Sequence, residues 1–140
     1  MPPLTEFDPA NSQTYEAICH CGAMQYSVTL SPPLTEQKVV SCNCSICARN
    51  GYLLVYPYRE NFNLKSGEDV LGSYSFGRKR IMHKFCSRCG SAVFFDPKLE
   101  SPDILGVNVR MFKDVNLNEL ELNHIDGWNS SPFVDSEHLK

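Results

Sequence analysis

Ile81-Met82-His83-Lys84-Phe85-Cys86-Ser87-Arg88-Cys89-Gly90-Ser91-Ala92-Val93-Phe94-Phe95 is the stretch that decides the fold. Ile81, His83 and Phe85 fall on alternate positions leading into Cys86, the period of a strand. Cys86-Ser87-Arg88-Cys89-Gly90 then has the form of a zinc knuckle. A turn brings two sulfurs together, and Gly90 permits the tight backbone that follows. Ala92-Val93-Phe94-Phe95 reads as the return strand, and Asp96-Pro97 closes the hairpin. Outward from this hairpin the same grammar repeats about every ten residues. Met24, Tyr26, Val28 and Leu30 alternate with polar residues, and Ser31-Pro32-Pro33 ends that run. Val39-Val40 leads into a second cysteine cluster. Tyr52 to Tyr56 reads as a buried strand stopped by Pro57, Val70 to Phe76 as extended, and Leu105, Val107 and Val109 as another alternating run. Asn118 to Leu122 is the best helix candidate, and it is short. The pattern predicts an all-β fold with at most a short helix.

The chain has 140 residues, of which 42% are hydrophobic, including eight Phe and six Tyr, enough for one domain with a core of its own. Residues 1–13, polar and Pro-containing, read as a loose N-terminal arm; 14–130 read as the domain and 131–140 as a C-terminal tail. No apolar run approaches the roughly 20 residues that span a bilayer. The first residues lack the basic start and apolar stretch of a secretory signal, so the expected location is cytoplasmic. A net charge of −3 disfavours nucleic acid as a partner. The one basic cluster, Arg78-Lys79-Arg80, fits either a small anion or a solvated turn.

Seven cysteines are the strongest compositional signal. An odd number without a signal peptide argues against a disulfide framework. They are also clustered, as Cys19-His20-Cys21-Gly22, Cys42-Asn43-Cys44-Ser45-Ile46-Cys47 and Cys86 with Cys89. Zinc takes four tetrahedral ligands, with sulfur at about 2.3 Å. Residues i and i+2 of a strand share a face, so Cys19 and Cys21 can converge on the ion that the knuckle holds. Two distant pairs then make a closed four-thiolate site. Cys42, Cys44 and Cys47 are left as a three-thiolate site with one vertex open. A different partition, with Cys42 and Cys44 joining Cys86 and Cys89, fits the spacing as well.

These residues resemble the glutathione-dependent formaldehyde-activating enzymes, a family grouped with the centromere protein V domain. The resemblance runs from about Tyr15 to Trp128. It rests on Cys19-His20-Cys21-Gly22, on Cys42-Asn43-Cys44-Ser45-Ile46-Cys47-Ala48-Arg49, and on Phe85-Cys86-Ser87-Arg88-Cys89-Gly90-Ser91, in that order. It implies a β-tent fold of several small antiparallel sheets. It implies a structural zinc on Cys19, Cys21, Cys86 and Cys89 and a second zinc on Cys42, Cys44 and Cys47, two ions per chain. Asn43 departs from the family pattern, in which many members carry His. His124-Ile125-Asp126-Gly127-Trp128 matches the family's C-terminal segment in outline.

Three thiolates more than cancel the charge of a zinc ion, which makes it a weak activator of water and argues against a hydrolase. Such an ion suits a fourth, soft ligand such as a substrate thiol. The expected function is a carbon–sulfur lyase with glutathione as co-substrate and a small electrophile such as formaldehyde, forming or cleaving S-hydroxymethylglutathione, or acting on another glutathione conjugate. Cys42, Cys44 and Cys47 form its catalytic site, and Arg49 is the candidate contact for a glutathione carboxylate. His20 is expected to point outward. His83 reads as a satisfied core or surface histidine and Trp128 as a packing residue. The rival classes are a non-catalytic zinc module that binds protein or chromatin, and a thiol or metal sensor.

Overall fold

The alternating stretches become ten strands and two short helices in the computed structural model, which describes residue 4 and residues 6–130. The remainder of the expected arm and the whole of the expected tail, 131–140, lie outside the described residues. The strands are β1 (Gln13–Ile18), β2 (Gln25–Leu30), β3 (Val39–Cys42), β4 (Leu54–Val55) and β5 (Phe62–Ser66), then β6 (Leu71–Tyr74), β7 (Met82–Cys86), β8 (Ala92–Asp96), β9 (Gly106–Asn108) and β10 (Leu122–Ile125). The helices are α1 (Ser45–Asn50) and α2 (Gly127–Ser130). One sheet has three strands in the order β1-β2-β5, and the other has seven in the order β10-β3-β4-β9-β8-β7-β6. Pairing is antiparallel except between β10 and β3, where Ile125 lies opposite Cys42 in a parallel pair. Among the described residues no helix is long and apolar enough to cross a membrane.

The core lies between the sheets. Tyr26 and Val28 of the smaller sheet, with Met24 just before β2, meet Val39, Val55, Val93 and Val107 of the larger one, all of them buried. Phe62 of β5 bridges the two, stacking on Tyr26 at 5.1 Å and meeting Phe94 at 4.8 Å. Burial of this apolar surface is the main driving term for so small a β domain.

Differences from the sequence reading have local causes. The buried run at Tyr52–Tyr56 pairs as a strand only over Leu54–Val55, because the Leu53 N–H is taken by the Asn108 side chain at 3.3 Å. Asn108 is itself buried, and its amide also donates to the Ala92 carbonyl at 2.9 Å, so it stitches β9 to β8. The helix expected at Asn118–Leu122 is a single 3-10 turn, Leu117–Glu119, followed by strand β10. Asn116 accepts from the Asn118 N–H at 3.1 Å, a local bond that favours a turn. So short a segment cannot nucleate a helix without help, whereas β3 offers β10 a complete row of partners.

Candidate metal centres

The knuckle forms as its spacing requires. Gly90, at φ 79°, takes the left-handed conformation, and its N–H closes the turn on the Cys86 carbonyl at 2.7 Å. A matching turn follows β1, where the Gly22 N–H donates to the Cys19 carbonyl at 3.1 Å. The two turns face each other, and the ligand atoms of Cys19, Cys21, Cys86 and Cys89 lie within 4.8 Å of one another. Cys19 and Cys21 sulfurs are 3.6 Å apart, and those of Cys21 and Cys86 are 3.7 Å apart. The edge of a tetrahedron with bonds of about 2.3 Å is about 3.8 Å, so the spacing fits a four-thiolate ion. The alternative partition, with Cys42 and Cys44 joining the knuckle, is not what the chain adopts.

The charges at this cluster conflict without a cation. Ser91 hydroxyl against the Cys89 sulfur, 3.2 Å away, brings that thiol down to about 5. Burial acts to raise Cys19, but the Met24 N–H, 3.3 Å from its sulfur, together with the neighbouring Cys21 and Cys86 thiols, outweighs it and lowers Cys19. Cys21 has the Ala23 N–H in its favour, yet burial and the neighbouring thiols push it up to about 11. Each sulfur that ionises makes the next harder to ionise, and a dication removes the conflict.

The second cluster is built on β3 and α1. Cys42 ends β3, Cys44 is the N-cap of α1, and Cys47 is the third residue of that helix, so Cys44 and Cys47 share one face of the first turn. Gly51, at φ 63°, ends α1 with its N–H on the Cys47 carbonyl, which holds Cys47 in place. The three sulfurs lie within 4.8 Å of one another, and among the described residues no fourth Cys, His, Asp or Glu joins them. Cys44 is brought down to about 5, chiefly by the Cys47 thiol donating to it, against the opposing effect of burial. Cys47 is pushed far up by that same bond and by burial, and Cys42 is raised mainly by burial. The surroundings are apolar, with Val40, Leu54, Tyr56 and Phe95 packed around the cluster.

The segment after β10 closes over this cluster. A Cβ at Gly127 would stand 2.5 Å from Cys42 Sγ and 2.8 Å from Cys44 Cβ, so only glycine lets the chain lie there. Asn43 latches the segment. Its amide donates to Asp126 Oδ1 at 3.1 Å, and its Oδ1 accepts from the Trp128 N–H at 2.8 Å. Gly127 and the role of Asn43 were not foreseen in the sequence, since no spacing rule ties residue 127 to residue 42 across a parallel strand pair. His20 is exposed, as expected. His83 is buried and joins neither cluster; its Nδ1 is 3.2 Å from the Tyr52 hydroxyl. Arg49 is exposed, with Nη1 donating to the Ser45 carbonyl of its own helix at 3.1 Å. Arg78, Lys79 and Arg80 are exposed in the turn between β6 and β7.

A mostly-β chain with two sulfur clusters, each able to hold a metal ion, is the class that fold and site define. The sequence matches the family described as glutathione-dependent formaldehyde-activating enzyme over residues 14–126, and the chain belongs to that family. Its structure is similar to the crystal structure of a Rhodobacter sphaeroides protein solved as a structural genomics target. The TM-score is 0.70 at 29% identity, over 79% of this chain and 99% of that one. The family acts on glutathione and formaldehyde.

Proposed function

We propose that this protein is a zinc-dependent carbon–sulfur lyase that joins glutathione to formaldehyde and cleaves S-hydroxymethylglutathione in reverse. The carrying observation is the asymmetry between four convergent sulfurs in one cluster and three in the other. Cys19, Cys21, Cys86 and Cys89 would hold a structural zinc, and Cys42, Cys44 and Cys47 a second. When bound, an ion with three thiolate ligands favours a further sulfur as thiolate at neutral pH. In the forward direction the thiol sulfur forms a bond to the aldehyde carbon. The carbonyl π pair moves to oxygen, which takes up the proton the thiol gave, and no oxidant or reductant is needed.

The chain's own residues supply position and a dry wall. Cys42, Cys44 and Cys47 fix the place where sulfur chemistry occurs, on a strand end and a helix turn rather than a loose loop. Tyr56 and Phe95 meet edge to face at 6.3 Å and shield the cluster from water. Arg49 is the candidate contact for a glutathione carboxylate, with part of its guanidinium anchored on Ser45. The test is exchange spectroscopy of glutathione and formaldehyde with the zinc-loaded protein. Adduct exchange well above the buffer rate is expected, and exchange at the buffer rate would remove the assignment.

A further inference from the structure

A cavity of about 290 Å³ lies between α1 and the β7–β8 hairpin, with Asn50, Tyr52, His83, Lys84, Phe85 and Gly90 in its wall. Three of these are consecutive, and a regular strand would divide them between two faces. The register of β7 against β8 slips between Lys84 and Phe85, and with that bulge all three border the same space.

A polar relay is built into the wall. The Tyr52 hydroxyl lies 3.2 Å from His83 Nδ1. A phenol hydroxyl can donate to Nδ1 of a neutral imidazole, and in that tautomer the ring carries its hydrogen on Nε2. Nε2 is buried and has no partner among the described residues. The ring is held between Phe76 at 5.8 Å and Phe95 at 5.5 Å, so it is fixed in place. Buried donors are nearly always satisfied, and one left open in a cavity wall calls for an acceptor from outside the chain. Lys84 adds a cation there. Its ammonium is 2.6 Å from Ser73 Oγ and pairs with no carboxylate among the described residues.

We propose that this cavity receives the glycyl carboxylate of glutathione, with His83 and Lys84 as its donors, an assignment that rests on the function proposed above. A neutral N–H beside an ammonium, with no acid in the wall, selects an anion that accepts hydrogen bonds. Glutathione has two carboxylates. The γ-glutamyl one carries an ammonium group beside it, which Lys84 repels, whereas the glycyl one follows only an amide. Gly90 offers no side chain against an approaching peptide. The cavity also borders the second cluster, since Ile46 and Asn50 of α1, the helix that carries Cys47, stand in its wall.

Zinc-loaded, histidine-¹⁵N-labelled protein titrated with glutathione, S-methylglutathione and the glycyl ethyl ester of glutathione tests this. The His83 Nε2 resonance should move with the first two and stay in place with the ester. The ester should bind about tenfold more weakly, the order of one charge-assisted hydrogen bond. In His83→Phe the acid and the ester should bind alike; if that variant does not fold, Lys84→Met carries the same comparison. An unmoved resonance at saturation with S-methylglutathione, or equal binding of acid and ester by wild type, would overturn the assignment. Adduct exchange without this discrimination removes the cavity assignment alone, and discrimination without exchange removes the activity alone.

Discussion

Gly127 shows how one side chain, or its lack, governs the second cluster. A methyl group there must displace Cys42 sulfur or the backbone behind it, so Gly127→Ala should loosen the three-sulfur site and leave the knuckle intact. Metal analysis of the purified variant is expected to give about one zinc per chain in place of about two, with unchanged far-ultraviolet circular dichroism. His83 sets a pH dependence of a definite sign. Burial brings its pKa from 6.5 to about 4. Between those values the unfolded chain binds the extra proton and the native one does not. Stability is therefore full above about pH 6.5 and falls as the pH drops towards 4, by about 3 kcal/mol at most. Denaturant titrations at pH 7 and pH 4.5 should show this loss in wild type to a greater degree than in His83→Phe. The cysteines were legible as residues because ligand spacing is a local property. Burial of His83 and crowding at Gly127 are set by segments far away in sequence, and no neighbouring residue announces them.

Among the elements, the hairpin was legible and the helices were not. Cys86 to Phe95 carries its own strand period, its turn glycine and its metal motif in one continuous stretch. Helix α1 has a stop signal in Gly51, yet it begins on a cysteine, which is outside the preferred capping set, and runs for only six residues. Its position depends on the cluster it helps to build. The segment from β10 to α2 was not assigned from the sequence for a related reason, because its hydrogen bonds go to β3 and to Asn43. Asn43→Ala removes both latch bonds, at about 1 kcal/mol each. Amide exchange at Trp128 should accelerate about tenfold while the melting temperature changes by only a few degrees, since the latch lies outside the main core. Equal exchange in variant and wild type would show that the strand pair alone holds the segment.

For the molecule as a whole, the two clusters differ in what depends on them. The four-sulfur cluster ties β1 and its turn to the β7–β8 hairpin, and so joins one sheet to the other. The three-sulfur cluster lies at one side of the larger sheet. Cys86→Ser should therefore abolish the cooperative melting transition, because structural zinc contributes roughly 10 kcal/mol or more, comparable to the stability of a whole domain. Cys47→Ser should keep the fold and bind about one zinc in place of about two. Calorimetry with metal analysis on both variants checks the pair, and loss of both ions from Cys47→Ser would mean that the clusters are not independent. At this scale the sheet-rich architecture was legible from recurrent alternation, whereas the parallel joining of β10 to β3 was not, since hydropathy carries no direction. That late pairing has a consequence for synthesis. All four sulfurs of the knuckle cluster have left the ribosome once residue 89 is out, but the glycine that covers Cys42 comes 38 residues later. A nascent chain can thus bring its four-sulfur cluster together while the three-sulfur cluster still stands bare, and that trio is covered only once Gly127 has emerged.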